Sequence, residues 1–391
     1  MKRDKVISIN LIMYIILLNF NKVLKIMGIP IFYFPMFFLL SYIVIKDLKD
    51  KKTLKINLFL VFWIIYAVML IILYGSNLAA TKALASLITN IFSFIIITRL
   101  LDKNFEVIKD IIKGVKISVL INILIAMWEI ITNSHVIGLS EDYIRRFYGI
   151  PLTFFANAND LSVVLVSYIV ILLIDICMKK NEKNSKGNMF FTIILILATY
   201  FIVLKTKSMI GICAVPCIIL LTVLFKKYYY KKNKYFFLLI ILIMGLTIYL
   251  GIGDTINLQE YSTIQSRIDI WGPTLAQFIN YYGIGIGPGQ NEVIGLGQVH
   301  SILIEILSEY GIVIFSIFIG IYFKWIQHTK KLAINSLENN ILFFVILSYS
   351  LILLMLSIST SSMTKLYPVW GCIAICFAFI KKYEKKIGGK E

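Results

Sequence analysis

The residues best suited to chemistry in this chain lie where a long loop meets an apolar segment. His300 stands there, one of only three histidines among 391 residues, and Arg267 lies earlier in the same loop. Imidazole titrates near neutrality and can serve as a general base. Guanidinium offers a planar fork of donors that matches phosphate oxygens. A base and a fixed cation at a membrane surface together predict chemistry on an anionic, lipid-linked substrate.

Further cations fall on the same predicted face of the membrane. Arg145 and Arg146 lie in an earlier loop, and Lys207 lies in a short turn between two apolar segments. Two interpretations stay open for them. They either snorkel toward lipid headgroups or pair with nearby carboxylates, or they form a cluster that binds a diphosphate.

Two carboxylates follow His300 within an apolar segment. Glu305 and Glu309 are four residues apart and therefore share one face of a predicted helix. Carboxylates at membrane depth are costly and need partners. They either pair structurally with Arg267 or a lysine, or they shape a polar active-site cavity.

The composition predicts the kind of fold that must position these residues. The chain is 59% hydrophobic and 15% charged, with a mean hydropathy of +0.86. Soluble domains are about 25% charged, so we expect one integral membrane domain over 1–391, an all-α bundle. A helix needs about 20 apolar residues to cross the hydrocarbon core. About twelve such runs occur, near 6–25, 29–46, 56–74, 78–98, 107–132, 160–178, 188–204, 208–225, 235–250, 299–323, 340–358 and 366–380.

The basic residues predict the orientation of these spans. Most of the 39 lysines and arginines fall in alternate loops, which predicts that both termini are cytoplasmic. His300 and Arg267 then lie on the outer face. The net charge of +18 is thus a topology signal spread over every inner loop, and it excludes nucleic acid as a partner.

The longest predicted outer loop runs over 251–298, between the ninth and tenth spans. Apolar residues at helical spacing over 264–280 predict an amphipathic helix on the membrane face. Pro273 should kink this helix or delay its start. The run 283–289, Gly-Ile-Gly-Ile-Gly-Pro-Gly, predicts a tight bend that returns the chain to the bilayer. Its backbone N–H groups can approach a phosphate or sugar.

The start of the tenth span resembles a motif of a known family. It reads His300-Ser301-x-x-x-Glu305-x-x-x-Glu309-x-Gly311. This is similar to the HN-x-x-L-E…E-x-G stretch of the O-antigen ligase and polymerase superfamily, with serine in place of the usual asparagine. The layout is similar too, since that family also has its large outer loop between the ninth and tenth spans.

Three further stretches carry the resemblance. Arg267, with the tryptophan and glycine-rich turn that follow it, matches the family's large outer loop. Arg146 opens Arg-Phe-Tyr-Gly, and Asn157 opens Asn-Ala-Asn up to Asn159, which looks like the family's R-x-x-G…N-x-N entry to a helix. The family's T-x-S-R stretch after the seventh span reads Thr-Lys-Ser-Met here, so Lys207 would supply the charge of the missing arginine.

The resemblance implies an inverting glycosyltransferase of the glycosyltransferase-C-like class that uses neither metal nor cofactor. Its donor and acceptor would be undecaprenyl-diphosphate-linked oligosaccharides on the outer face of a bacterial cytoplasmic membrane. His300 would deprotonate the acceptor hydroxyl, while Arg267 and Arg146 would hold the diphosphate and stabilise its charge. The further substrate-binding candidates are Arg145, Lys207, Asn157, Asn159 and Glu305.

Three functions stay open within this reading. A polymerase joins lipid-linked repeat units into a capsule, exopolysaccharide or O-antigen, with a flippase and a chain-length regulator as expected partners. A ligase transfers the same donor to another acceptor. The chain is rich in Ile, Lys and Asn and has only 7 prolines, which is typical of an AT-rich genome. Many bacteria with such genomes have no outer membrane and therefore no lipid A to accept a glycan from a ligase, which favours the polymerase. The third function is a lipid-linked oligosaccharide flippase, which should carry ionisable residues along a central path through several helices. Most predicted spans have no such residues, which favours the enzyme.

Overall fold

The computed structural model describes most of the chain. The described residues are 5–20, 23–26, 29–49, 58–137, 149–155, 157–179, 186–231, 261–295, 299–335, 340–360 and 362–388. The expected span 235–250 lies outside them, as do Arg145 and Arg146.

The described residues form α-helices and one minimal sheet. The helices are α1 (Lys5–Leu17), α2 (Tyr33–Lys49), α3 (Leu58–Tyr74), α4 (Leu78–Lys103), α5 (Ile108–Thr132), α6 (Ala158–Lys179), α7 (Lys186–Lys205), α8 (Met209–Lys231), α9 (Tyr261–Asn280), α10 (Gln290–Val293), α11 (Ile302–Asn335), α12 (Asn340–Ser359) and α13 (Tyr367–Gly388). Short 3₁₀ turns cover Leu18–Phe20, Phe105–Val107 and Met363–Lys365. The strands β1 (Lys25–Ile26) and β2 (Ile29–Pro30) pair antiparallel, with Lys25 opposite Pro30.

The expected all-α membrane bundle is confirmed at the level of its class. Seven helices of the described residues are long and apolar enough to cross a membrane, namely Leu78–Lys103, Phe105–Thr132, Ala158–Lys179, Lys186–Lys205, Met209–Lys227, Ile302–Asn335 and Ile341–Ile358. Two shorter apolar helices cover Lys5–Phe20 and Leu58–Tyr74. The count of twelve spans stays a prediction.

The outer surface of the bundle is apolar, as a surface in contact with lipid must be. Large hydrophobic side chains such as Ile72, Leu197 and Phe190 are 77%, 63% and 66% exposed. In water such a surface would drive aggregation. Inside, α6 and α12 supply nearly continuous buried apolar runs and form the centre of the core.

The helix directions define two ends of the bundle. At one end, α3, α7 and α12 finish and α4, α8 and α13 begin, so the connections 75–77 and 206–208 and the described residues 360 and 362–366 lie at that end. We call this the site end, because α11 also begins there, directly after His300. The packing of α13 on α4, of α12 on α8 and of α11 on α12 holds the helices in these positions.

The first helix is shorter than its apolar run predicts. A span was expected over 6–25, but α1 ends at Leu17. The amide of Asn19 folds back and donates to the carbonyls of Ile15 and Ile16, at 3.4 and 3.1 Å. Such local bonds compete with helix continuation. The Asn19 carbonyl oxygen then accepts a 2.9 Å bond from the Tyr168 hydroxyl, which ties this turn to α6.

Candidate functional site

His300 lies two residues before α11 rather than in its first turn. Its φ of +52° is in the left-handed region, which residues other than glycine or asparagine adopt at a cost in conformational free energy. Its Nδ1 is 2.7 Å from the main-chain oxygen of Thr360. A carbonyl oxygen only accepts, so Nδ1 carries the proton and Nε2 is the acceptor of the neutral ring. The residue is half-buried.

The helix α9 brings Arg267 to the same end of the molecule. The structure has this helix over Tyr261–Asn280, and it continues through Pro273 without the delayed start that the proline predicted. The Trp271 indole N–H donates to the carbonyl of Val299, at 2.6 Å, next to His300. Arg267 lies one turn before Trp271 on this helix. Its side chain lies outside the described part of the structure, so a pocket shared with His300 stays a prediction.

A break in α11 receives the glycine-rich run that precedes it. Gly311 has φ +74° and ψ 177°, a conformation open only to glycine. The break leaves main-chain carbonyls of the preceding turn without their helical hydrogen bonds. Backbone N–H groups of the glycine-rich run donate to these carbonyls instead: Ile286 donates to Ser308 at 2.9 Å, and Gly287 donates to Glu309 at 3.0 Å. The predicted bend is therefore a strap (283–289) that pairs with a broken helix.

The strap can lie against the backbone of α11 because Gly285 of the strap and Gly311 of the helix have no side chains. A Cβ at Gly285 would lie 2.6 Å from the Gly311 nitrogen, and a Cβ at Gly311 would collide with the Ile284 carbonyl. The Tyr66 hydroxyl donates to that same Ile284 carbonyl at 2.8 Å. The strap thus holds the first turns of α11 against α3.

Glu305 and Glu309 are both buried, each 6% exposed, and they have different partners. Glu305 Oε1 accepts from the hydroxyls of Ser362 at 2.7 Å and Thr364 at 2.5 Å. Glu309 accepts from the Asn291 amide at 3.3 Å and from a backbone N–H of the strap. Their described hydrogen-bond partners are hydroxyls, an amide and a backbone N–H rather than Arg267, so both interpretations stay open and the role of Glu305 in substrate binding stays a prediction.

The two asparagines of the second motif begin α6. Asn157 Oδ1 accepts from the backbone N–H of Asn159 at 2.9 Å, and the Asn157 main-chain oxygen accepts from Asp160 and Leu161. This is the bonding of a residue that starts a helix. Both side chains are half-buried, and their role in substrate binding stays a prediction.

Lys207 lies at the site end, in the turn between α7 and α8. It is exposed and has φ +54°. Its backbone N–H donates to Leu204 at 3.3 Å and closes the turn. The structure therefore presents a cation at this end, as the spacing predicts, but it describes no contact between Lys207 and His300. Arg145 and Arg146 lie outside the described residues.

Sequence reasoning missed the connection between α12 and α13. Thr360 of this connection contacts His300, whereas Ser362 and Thr364 contact Glu305. The signal was a dense run of serine and threonine over 357–364 between two apolar segments. Lys365 ends the connection with an ion pair to Glu292.

Metal ligands were not expected from the sequence. Within the described residues, no group of three or more His, Cys, Asp or Glu side chains is arranged to hold a metal ion.

Comparison with known proteins does not identify the chain. It matches no protein-family model, and a search of curated proteins gives no match. The family resemblance thus rests on the motifs and their placement alone.

Proposed function

We propose that this protein is an inverting, metal-independent membrane glycosyltransferase. It polymerises undecaprenyl-diphosphate-linked oligosaccharide repeat units into a surface polysaccharide on the outer face of the cytoplasmic membrane. One observation carries the proposal. The bond from His300 Nδ1 to the Thr360 carbonyl leaves Nε2 as the acceptor of a neutral imidazole, the form that a general base needs.

An apolar cleft whose lining includes Ile302, two residues after this histidine, supports a lipid-linked substrate. Its lining runs from Ile302 and Trp370 to Trp63, Tyr322 and Trp325, between α3, α4, α11, α12 and α13. Ile302 is two residues from His300. A cleft of this chemistry suits a hydrocarbon chain, because no polar group of such a chain needs a partner. The polar head of the lipid would then lie at the site end.

The diphosphate of that lipid would meet cations. Arg267 lies on the helix whose Trp271 contacts Val299, and Lys207 is exposed at the same end. Arg146 is assigned here by the motif alone. The guanidinium group of arginine forms bidentate hydrogen bonds with phosphate oxygens, and each contact is stronger where water is excluded.

The reaction follows from these roles as a single displacement. His300 Nε2 takes the proton from the acceptor sugar hydroxyl, and the hydroxyl oxygen forms a bond to the anomeric carbon of the donor. The bond from that carbon to the diphosphate oxygen breaks on the opposite face, which inverts the anomeric configuration. The electron pair leaves with the diphosphate, whose negative charge Arg267 and Arg146 stabilise.

The transporter alternative has one observation in its favour. Broken helices with buried carboxylates line ion and substrate paths in many transporters, and α11 is broken at Gly311. Here, however, the strap takes the carbonyls of Ser308 and Glu309, and Glu305 is bonded to hydroxyls. A break that is closed by its own chain favours a fixed site over a moving path.

His300→Asn is the sharpest test of the proposed function. Asparagine can keep the donor that faces Thr360, and it tolerates a left-handed backbone, but it has no atom in the place of Nε2. We expect purified wild-type protein in liposomes to convert lipid-linked repeat units into a ladder of polymers. The variant should lose about 10²–10⁴-fold in rate.

His328→Asn is the matched control. His328 is exposed and pairs with Glu384 at the other end of the bundle, so this variant should keep the wild-type rate. A normal ladder from His300→Asn would remove His300 from catalysis. Transfer to a different acceptor without polymer growth would indicate the ligase, and movement of the lipid without bond formation would indicate the flippase.

A further inference from the structure

We propose that Glu305 is a positioning residue that fixes the orientation of His300 through the connection between α12 and α13, from its described residues Thr360, Ser362 and Thr364. The inference rests on the proposed role of His300 as general base. Glu305 holds the segment that carries the main-chain oxygen of Thr360, the partner of that imidazole.

The connection is bonded to Glu305 at two points. The hydroxyls of Ser362 and Thr364 both donate to Glu305 Oε1, at 2.7 and 2.5 Å, and they lie 2.9 Å from each other. All three side chains are buried, with 5–6% exposure. Bonds of this kind are stronger away from water, so they keep this 3₁₀ turn in one conformation.

The same connection presents the carbonyl that holds His300. Thr360 is two residues before Ser362, and its main-chain oxygen is 2.7 Å from His300 Nδ1. Its own hydroxyl donates to the Ser357 carbonyl at 3.0 Å, which anchors it to the end of α12. A shift of the connection would therefore move the acceptor that selects the tautomer of the ring.

Glu305 and His300 are also close in the chain. His300 precedes α11 and has a left-handed φ of +52°. Glu305 is in the first turn of that helix, where its backbone N–H donates to Ser301 at 2.8 Å. The carboxylate thus joins the start of α11 to the connection, and the histidine lies between them in the chain.

The hydrogen bonds of Glu305 allow two roles to be tested apart, the positioning of His300 and a direct use of the negative charge of the carboxylate. Both hydroxyls donate to the same oxygen, Oε1. The amide oxygen of glutamine accepts the same two bonds but carries neither the charge nor a titratable proton. Glu305→Gln should therefore keep the position of His300, whereas Glu305→Leu should lose it.

The readout is the tautomer of His300, measured in the full-length protein in lipid bilayers by nitrogen-15 NMR of labelled histidine. The chain has only three histidines, and the His300 signals are those missing from His300→Asn. We expect the Nδ1–H form in the wild type and in Glu305→Gln. In Glu305→Leu we expect the signal to move to the Nε2–H form or to an exchange average. Polymerisation should fall by about 10–100-fold, the usual effect of removing an orienting partner, and glutamine should restore it.

Glu309→Leu is the matched control for the NMR readout. Glu309 is equally buried one turn further along α11, but it bonds to Asn291 rather than to the connection, so the His300 signal should not change. Should Glu305→Leu fail to fold, Ser362→Ala removes one of the two bonds and is expected to give an intermediate shift.

Two outcomes would overturn the proposal. One is an unchanged His300 tautomer in Glu305→Leu or, in its place, in Ser362→Ala. The other is a Glu305→Gln variant that loses activity although its tautomer is unchanged, which would mean that the charge itself is used. The NMR measurement does not depend on activity and therefore tests the positioning role of Glu305 by itself. The glycosyltransferase proposal is tested separately, because an active His300→Asn variant would contradict it.

Discussion

The imidazole Nδ1 of His300 donates to the main-chain oxygen of Thr360, 2.7 Å away and sixty residues later in the chain. This contact joins the start of α11 to the end of α12. It also assigns the ring proton to Nδ1 in the neutral form, because the carbonyl has no proton to give.

Substitutions at position 300 should separate backbone strain from chemistry. The left-handed φ of +52° costs a β-branched residue about 1–2 kcal/mol, and the lost bond to Thr360 adds about 1 kcal/mol. His300→Val should therefore lower the free energy of unfolding, while His300→Asn should leave it near the wild-type value. Equilibrium unfolding in mixed detergent micelles measures both. Equal losses in the two variants would contradict the assigned backbone conformation.

Gly311→Ala should be among the most damaging single substitutions in the described part of the chain. It places a Cβ against the Ile284 carbonyl in a backbone conformation that costs about 1–3 kcal/mol for other residues. The melting temperature in detergent should fall sharply. Gly320→Ala is the control on the same helix, because nothing lies within 4 Å of its added Cβ. There alanine should stabilise by up to about 1 kcal/mol through helix propensity, and equal melting temperatures for the two variants would argue against the pairing of strap and helix.

The orientation of the bundle can be measured with single cysteines. The five native cysteines would first be replaced by alanine. Lys207 and Lys331 are both exposed and lie at opposite ends of the bundle. In intact cells, a membrane-impermeant maleimide should label Lys207→Cys, whereas Lys331→Cys should react only after permeabilisation. The reverse pattern would place the site end in the cytoplasm and exclude an outer-face polymerase.

Chelation should leave the proposed polymerisation intact. In the proposed mechanism arginine side chains, rather than a divalent ion, balance the charge of the departing diphosphate. We expect the same rate of ladder formation with and without EDTA in magnesium-free buffer. A rate that falls on chelation and returns with Mg²⁺ would contradict the arginine mechanism.

The positions of many helices follow from the sequence because hydropathy is a local property. The apolar runs 56–74 and 78–98 predict helices that the structure has at Leu58–Tyr74 and Leu78–Lys103. Helix ends were predicted less well where a side chain competes with the backbone, as Asn19 does at the end of α1. The break in α11 was invisible, since the apolar pattern continues through Gly311 and glycine alone is tolerated within helices.

The candidate site could be predicted only in part. His300 stood out because histidine is rare in this chain and polar neighbours are few. Its partner is a main-chain carbonyl, a group that every residue carries, so no residue type marks Thr360 in advance. Glu305 was expected either to pair with Arg267 or a lysine or to shape a polar cavity, and its hydrogen-bond partners in the structure are two hydroxyls from a distant turn.

The pairing of the glycine-rich strap with α11 limits where this protein can move. Hinging at Gly311 would strip the carbonyls of Ser308 and Glu309 from their donors and leave them facing hydrocarbon, at several kcal/mol for each group. The wall formed by the strap and the first turns of α11 therefore behaves as a rigid body. If the proposed lipid substrate enters the cleft lined by α3, α4, α11, α12 and α13 from the bilayer, the movement that admits it would fall on helices other than the first turns of α11.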